Sequence, residues 1–300
     1  MRIQYRYVSL SKNKALNQVL TKRKIKYAEE EKQYTDKLSY YFLSFFIYED
    51  EEDFLEIRSE LEKFQLKPQV GTEFSKKDYE EANWYHLHGG GSGYPQPWEY
   101  KEASYDLSQA CPTCSIGKIQ NRPFRLSSEP KAKTLDFIGL TGVYDQIFVR
   151  QSVKDIFEKE GVTGITFSRP VLHKTGLPLK TVYQLEISTV LPSGLLVENI
   201  NQEICKYPKE KGMAGFLKAI KSRFVDGPYC GQMIHNYPMR GTMNFKSNIF
   251  EKQPDFVRTH EWFGSGGQTG QPILISRKTR NIIEKYKLKG AYLKPVTLIE

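Results

Sequence analysis

Two stretches of this chain match each other. Residues 148–171 read FVRQSVKDIFEKEGVTGITFSRPV, and residues 274–296 read LISRKTRNIIEKYKLKGAYLKPV. Ile156, Phe157, Glu158, Lys159, Val162 and Gly164 align with Ile282, Ile283, Glu284, Lys285, Leu288 and Gly290. After a one-residue slip, Arg169, Pro170 and Val171 align with Lys294, Pro295 and Val296, and upstream Asp136-Phe137 matches Asp255-Phe256. Each copy has the pattern of a strand, an amphipathic helix, a glycine-containing turn and a second strand. Val153, Ile156 and Phe157 form the apolar helix face of the first copy, and Ile282, Ile283 and Tyr286 that of the second. The copies run over about 136–172 and 255–298. A solenoid needs about three repeats or more, so two copies predict a pair packed around one sheet.

The segments before the repeat also alternate between strand and helix patterns. Residues 2–8 read as a strand, 12–32 as a helix, 38–48 (LSYYFLSFFIY) as a buried strand, and Phe54, Ile57, Leu61 and Phe64 as a helix face. The acidic run Glu49–Asp53 suits the N-terminus of that helix, where carboxylates meet the positive end of the dipole. A strand at 67–71, a helix at 75–82 and a strand at 84–88 complete the pattern. The chain therefore reads as α+β. An N-terminal α+β domain is expected over 1–104, and a second domain over 105–300 carries the duplicated unit. Later elements are a strand at 181–187 and a helix face of Met213, Phe216, Leu217, Ile220 and Phe224, whose other side carries Lys218, Lys221 and Arg223.

With 19 Tyr and 17 Phe in 300 residues, the chain has the bulk that disordered sequences lack. No apolar run approaches the roughly 20 residues of a bilayer span, and the first residues carry no apolar signal core. A cytoplasmic location, no membrane partner and reduced cysteines are the expectations that follow. The net charge is +9, with lysines crowded at positions 12–26. Such a balance fits a nucleic-acid or acidic partner as well as a solvated helix face.

The local motif with chemical content is Cys111-Pro112-Thr113-Cys114. Two cysteines three positions apart grip one zinc ion from adjacent turn positions, and a structural zinc site takes four ligands. No second CxxC is present, so Cys205 and Cys230 are the distant candidates. His86 and His88, on one face of a strand, are the alternative ligands. A turn that persists without metal is the competing reading. A redox CxxC should open a helix after a strand, and here a polar loop precedes the motif while Gly117 and Pro123 follow it.

No catalytic motif is complete. His88-Gly89-Gly90-Gly91 has no G-x-S-x-G elbow to serve. Gly264–Gly270 lacks the Gly-Lys-Ser/Thr of a P-loop, fails the dinucleotide fingerprint, and reads as a loop inserted in the second copy. His260-Glu261 reads as a surface turn.

The knuckle, the G-x-x-F-x-R-P-V ending of the first copy and the C-terminal ILISRKTRNIIEKYKLKGAYLKPVTLIE together resemble the bacterial double-CXXCG motif proteins and related immunity proteins of polymorphic toxin systems. The resemblance covers roughly residues 105–300. Cys111 and Cys114 fall on the family's first cysteine pair. Ser115 stands where the family has glycine, and the second pair is reduced to Cys205 or Cys230. The resemblance implies a cytoplasmic, non-enzymatic protein that binds and neutralises a toxin. Its expected binding surface is the aromatic loop carrying Tyr94, Trp98 and Tyr100. A nucleic-acid-associated protein using its basic helix faces, and an enzyme with a dispersed site, are the alternatives.

Overall fold

Alternation along Arg2–Ser9 (β1) and Leu38–Tyr48 (β3) turns Tyr5, Tyr7, Tyr41, Leu43, Phe45 and Ile47 to one side, where all six are buried. The computed structural model describes residues 1–35, 38–91, 95–97, 99–111, 114–131, 133–205, 230–265 and 268–300. It is an α+β protein that divides into two units, Met1–Glu81 with Pro238–Gly241, and Ala82–Tyr237 with Thr242–Glu300.

In the first unit, Lys14–Lys22 (α1) follows β1. Then come Tyr27–Thr35 (β2), β3, Phe54–Glu62 (α2), Gln69–Glu73 (β4) and Lys76–Glu81 (α3). The sheet order is β2-β3-β1-β4, all antiparallel, which is the split βαβ arrangement of ferredoxin-like folds. Leu16 and Leu20 of α1 and Phe54, Ile57 and Leu61 of α2 close the core against β1 and β3. Each of the fully buried leucines contributes about 2 kcal/mol.

The expected helix over 12–32 is corrected. Asn13 caps its start by accepting the Leu16 N–H at 3.1 Å, and it ends at Lys22, just before Lys24 at φ 55°. The apolar face stops at Leu20. The charged stretch YAEEEKQYT pairs instead as the outer strand beside β3, where its three carboxylates are exposed on a sheet edge.

The second unit begins with Trp84–Gly91 (β5) and Tyr100–Ser104 (α4). Phe137–Leu140 (β6), Val143–Arg150 (β7), Gln151–Lys159 (α5) and Thr166–Ser168 (β8) contain the first copy of the sequence match. Val182–Glu186 (β9), Leu195–Leu196 (β10), Gln202–Ile204 (β11), Met233–His235 (β12) and Met243–Lys246 (β13) follow. Phe256–Arg258 (β14), Phe263–Ser265 (β15), Gln268–Gly270 (β16), Ile273–Ser276 (β17), Arg277–Lys285 (α6) and Ala291–Ile299 (β18) contain the second copy. The main sheet runs β8-β9-β7-β6-β5-β18-β13-β10, and β17 pairs with both β5 and β14.

The division after Glu81 differs from the expected one at 104 because β5 belongs to this sheet. One edge of β5 pairs with β18, and the other with β17 at Trp84–His86 and with β6 at Gly90–Gly91. The glycine-rich stretch 264–270, expected as an inserted loop, carries parts of two paired strands, β15 and β16, with Gly264 opposite Thr269.

Helices α5 and α6 follow β7 and β17 directly. Val153, Phe157, Ile282 and Ile283 are buried, while Ile156 and Tyr286 are half-buried at the helix margins. Phe157 lies between Phe137 and Phe256, ring centroids 6.0 and 5.8 Å away. The helix expected around Met213–Phe224 lies outside the described residues. Among the described residues no helix is long and apolar enough to cross a membrane.

Candidate metal centre

The first knuckle sits between two short strands, Tyr105–Asp106 and Ile119–Gln120, which pair antiparallel. The Ser115 N–H donates to the Cys111 carbonyl at 2.8 Å, and the Cys111 N–H donates to the Ile116 carbonyl at 2.8 Å. Ser115, the residue after the second cysteine, is left-handed at φ 63°. Ser115 can hold this conformation because its hydroxyl accepts from Lys101 Nζ at 3.1 Å and its backbone is tied to Cys111.

Cys205 and Cys230 flank the β11–β12 pair, whose register sets Ile204 opposite Met233. The Cys205 N–H donates to the Gln232 carbonyl at 2.9 Å, and Gly231 is left-handed at φ 67°. Both cysteine pairs thus use one device. The first cysteine bonds to the residue two past the second cysteine, and the intervening residue is left-handed. In the first pair two residues separate the cysteines; in the second, residues 206–229 do.

All four sulfurs lie within 4.8 Å of one another. Cys111 and Cys205 are 3.7 Å apart, Cys114 and Cys230 3.6 Å. Four sulfurs around one ion at about 2.3 Å stand about 3.8 Å apart along the edges of a tetrahedron, so the group fits a tetrahedral metal. Cys111, Cys114 and Cys205 are buried, with Ile234 and Ile116 packed around them, and Cys230 is exposed. Burial raises the Cys114 thiol and pushes that of Cys205 up to about 11. Thiols held neutral by burial become thiolates when a dication replaces their protons. With four protein ligands, such a site leaves no open position for chemistry on the ion.

His86 and His88, the alternative ligands, stand elsewhere. They are on β5, their rings 3.8 Å apart, and His86 stacks on Tyr237 at 5.0 Å. Burial pushes His86 well below the usual histidine range and His88 down to about 4, so both rings are neutral parts of the interior. The four sulfurs form a complete set without them. Of the expected aromatic surface, Tyr94 and Trp98 lie outside the described residues. Tyr100 is half-buried on α4. Its ring lies 5.9 Å from Phe124 and its hydroxyl donates to the Gly142 carbonyl at 3.3 Å, so it packs against the core around Phe124.

Two buried groups gave no clear signal in the sequence. Lys118, four residues past the knuckle, pairs with Asp145 of β7 at 2.9 Å; their side chains are 5% and 8% exposed. Lys118 also donates to the Thr269 carbonyl at 2.9 Å, and Thr269 donates its hydroxyl to the Cys114 carbonyl. The knuckle is thereby tied to β7 and β16. A lone aspartate in the apolar strand VYDQIFVR was the available hint. Glu261, expected on a surface turn, is buried. Its Oε1 accepts the Gly194 and Leu195 N–H groups at 3.1 and 3.2 Å, so the carboxylate holds a backbone turn.

No protein-family model matches the chain, and no curated protein matches it.

Proposed function

We propose that this chain is a non-enzymatic protein-binding protein of the immunity type whose second unit is held together by one structural zinc ion on Cys111, Cys114, Cys205 and Cys230. The observation that carries the zinc half is the convergence of four sulfurs at tetrahedral spacing, contributed by two turns of like construction. Zinc takes such an all-thiolate set as a closed, stabilising site, where ligands far apart in sequence become neighbours. The partner half rests on the resemblance over residues 105–300. A neutralising protein acts through a complementary surface and needs no catalytic constellation. A duplicated unit is part of this reading, supported by matching hydrogen bonds at Asp136 and Asp255.

Metal analysis of protein purified under reducing, chelator-free conditions tests the zinc half. One zinc per chain, lost in Cys111→Ser and Cys205→Ser alike, is the expected result. Iron in its place, or no metal, overturns it. Co-production with a toxin encoded beside its gene tests the partner half: restored growth and a stable complex support it, and arrest despite folded, metal-loaded protein overturns it.

A further inference from the structure

One face of the first unit's sheet carries a row of aromatics, two of them exposed. Core-facing residues of β3 alternate with Tyr40, Phe42, Ser44, Phe46 and Tyr48, which line the other face. Tyr40 is 38% exposed and Phe46 42%, while Tyr40 and Phe42 lie nearly parallel at 10° with centroids 6.1 Å apart. Apolar aromatics at this exposure, aligned on a central strand, are unusual for a face that meets only water.

A cation stands in the middle of this row. Arg6 of β1 lies directly opposite Phe46, between Gln4 opposite Tyr48 and Val8 opposite Ser44. Its Nε is buried with no hydrogen-bond partner, and it forms no ion pair among the described residues. The neighbouring Arg2 differs: it is bound by Asp50 at 2.9 Å and lies over the Tyr48 ring. The carboxylates of this face, Glu30 and Glu73, stand on the outer strands β2 and β4, opposite Phe42 and Arg2. The centre therefore offers flat π-surfaces beside one guanidinium whose Nε has no hydrogen-bond partner among the described residues. A buried donor without a partner calls for a ligand that supplies the acceptor.

We propose that this open face binds single-stranded nucleic acid, with bases stacked on Phe46 and on the Tyr40–Phe42 pair and a phosphate or base edge on Arg6. A planar ring linked to an anion meets both features at once. Exposed aromatics on a four-stranded sheet stack two or three bases in this way in RNA-recognition domains, and stacking tolerates any base. The topology alone decides nothing, since the same fold serves many unrelated activities; the aromatic row and the unsatisfied Nε of Arg6 carry the argument. The site lies in the first unit and does not depend on the metal centre or on the toxin partner.

The test is fluorescence anisotropy of the full-length chain with one short labelled sequence, prepared as single-stranded RNA, single-stranded DNA and duplex. Expected are saturable binding to single strands, weaker binding to duplex, and a loss of about fivefold or more in Phe46→Ala and Tyr40→Ala. Phe46→Tyr retains binding, and Arg6→Gln lowers the salt slope by about 0.7. Circular dichroism shows that each variant is folded, and Lys174→Gln, an exposed lysine of the second unit, leaves affinity unchanged. A preference for RNA over DNA assigns the natural strand through its 2′-hydroxyl. Absence of saturable single-strand binding at low salt overturns the proposal. So does binding indifferent to both Phe46→Ala and Arg6→Gln in folded protein.

Discussion

Asp136 and Asp255 each accept a backbone N–H from the turn that follows the helix of the other's segment. Lys289 N–H donates to Asp136 Oδ2 at 2.7 Å, and Thr163 N–H to Asp255 Oδ2 at 2.9 Å. The carbonyls of the same two aspartates accept Arg150 N–H at 3.0 Å and Ser276 N–H at 2.9 Å, at the starts of α5 and α6. The glycines just past these turns, Gly164 and Gly290, have φ of 83° and 87°. A Cβ on Gly164 would strike the Phe256 carbonyl, and one on Gly290 the Phe137 carbonyl. Two segments far apart in sequence thus lock each other by one exchanged contact.

Removing that contact should cost most at Asp255. Its carboxylate also accepts Thr163 Oγ1 at 3.0 Å and Ser276 Oγ at 2.7 Å, and pairs with Lys278 at 3.1 Å. Burial alone would raise its pKa, but these donors outweigh burial and hold it below the usual carboxylate range. The linked stability is therefore complete above the unfolded value of 3.8 and drains away as pH falls through the lower folded value. We expect Asp255→Ala to lose about 3 kcal/mol in urea unfolding, and Asp136→Ala about 1 kcal/mol. A loss at Asp255 within the ~0.5 kcal/mol of an ordinary surface change would refute the lock.

Lys118 and Asp145 form a pair shut away from water, so breaking it leaves a buried charge alone. Lys118→Met should destabilise by about 3–5 kcal/mol. Lys118→Met combined with Asp145→Leu should recover part of that, because neither member of the pair is then left buried without the other, although Arg258 beside Asp145 keeps its charge. Thermal melts of the two single variants and the double variant give the coupling. Strict additivity would show that the ion pair is not the origin of the cost.

His86 and His88 are neutral in the fold and take protons readily only when it opens. The unfolded chain then binds more protons below its histidine value of 6.5, so stability falls as pH drops from 6.5 toward the folded value of about 4 for His88. The fall attributable to His88 is at most about 3 kcal/mol. His88→Gln should flatten the difference in melting temperature between pH 6.5 and pH 4 relative to the parent protein. An unchanged slope would place the acid sensitivity in other groups.

Backbone bonds at Cys205–Gln232 and Cys111–Ile116 shape the two cysteine turns on which the proposed metal site rests. Replacing residues 206–229 with the Pro-Thr pair of the first knuckle should therefore keep full metal content. Chelation should lower the melting temperature of both proteins alike. A zinc ion held as proposed, at a thousand times its dissociation constant, would contribute about 4 kcal/mol, a shift easily read by calorimetry. Loss of metal from the shortened chain, with the fold intact by circular dichroism, would make 206–229 part of the site.

Local periodicity made several elements legible. Alternation in LSYYFLSFFIY and helical spacing in Phe54, Ile57 and Leu61 report burial of near neighbours, which the chain carries in itself. The charged stretch 27–35 misled because an exposed strand at a sheet edge and a polar helix share a composition. The knuckle Cys111–Cys114 was readable from spacing.

The sequence by itself determined the α+β class, the amphipathic helices of the matched segments and half of the cysteine set. These follow from side chains a few residues apart. Tertiary structure alone decided that Cys205 and Cys230 close one site with Cys111 and Cys114, and that His86 and His88 do not. It also decided that β5 joins the second unit and that Arg6 Nε lies without a hydrogen-bond partner among the described residues, opposite Phe46. Each of these depends on which strands pair across long stretches of chain. Pairing is settled by the burial of whole faces and the satisfaction of backbone groups together, so no local pattern encodes it.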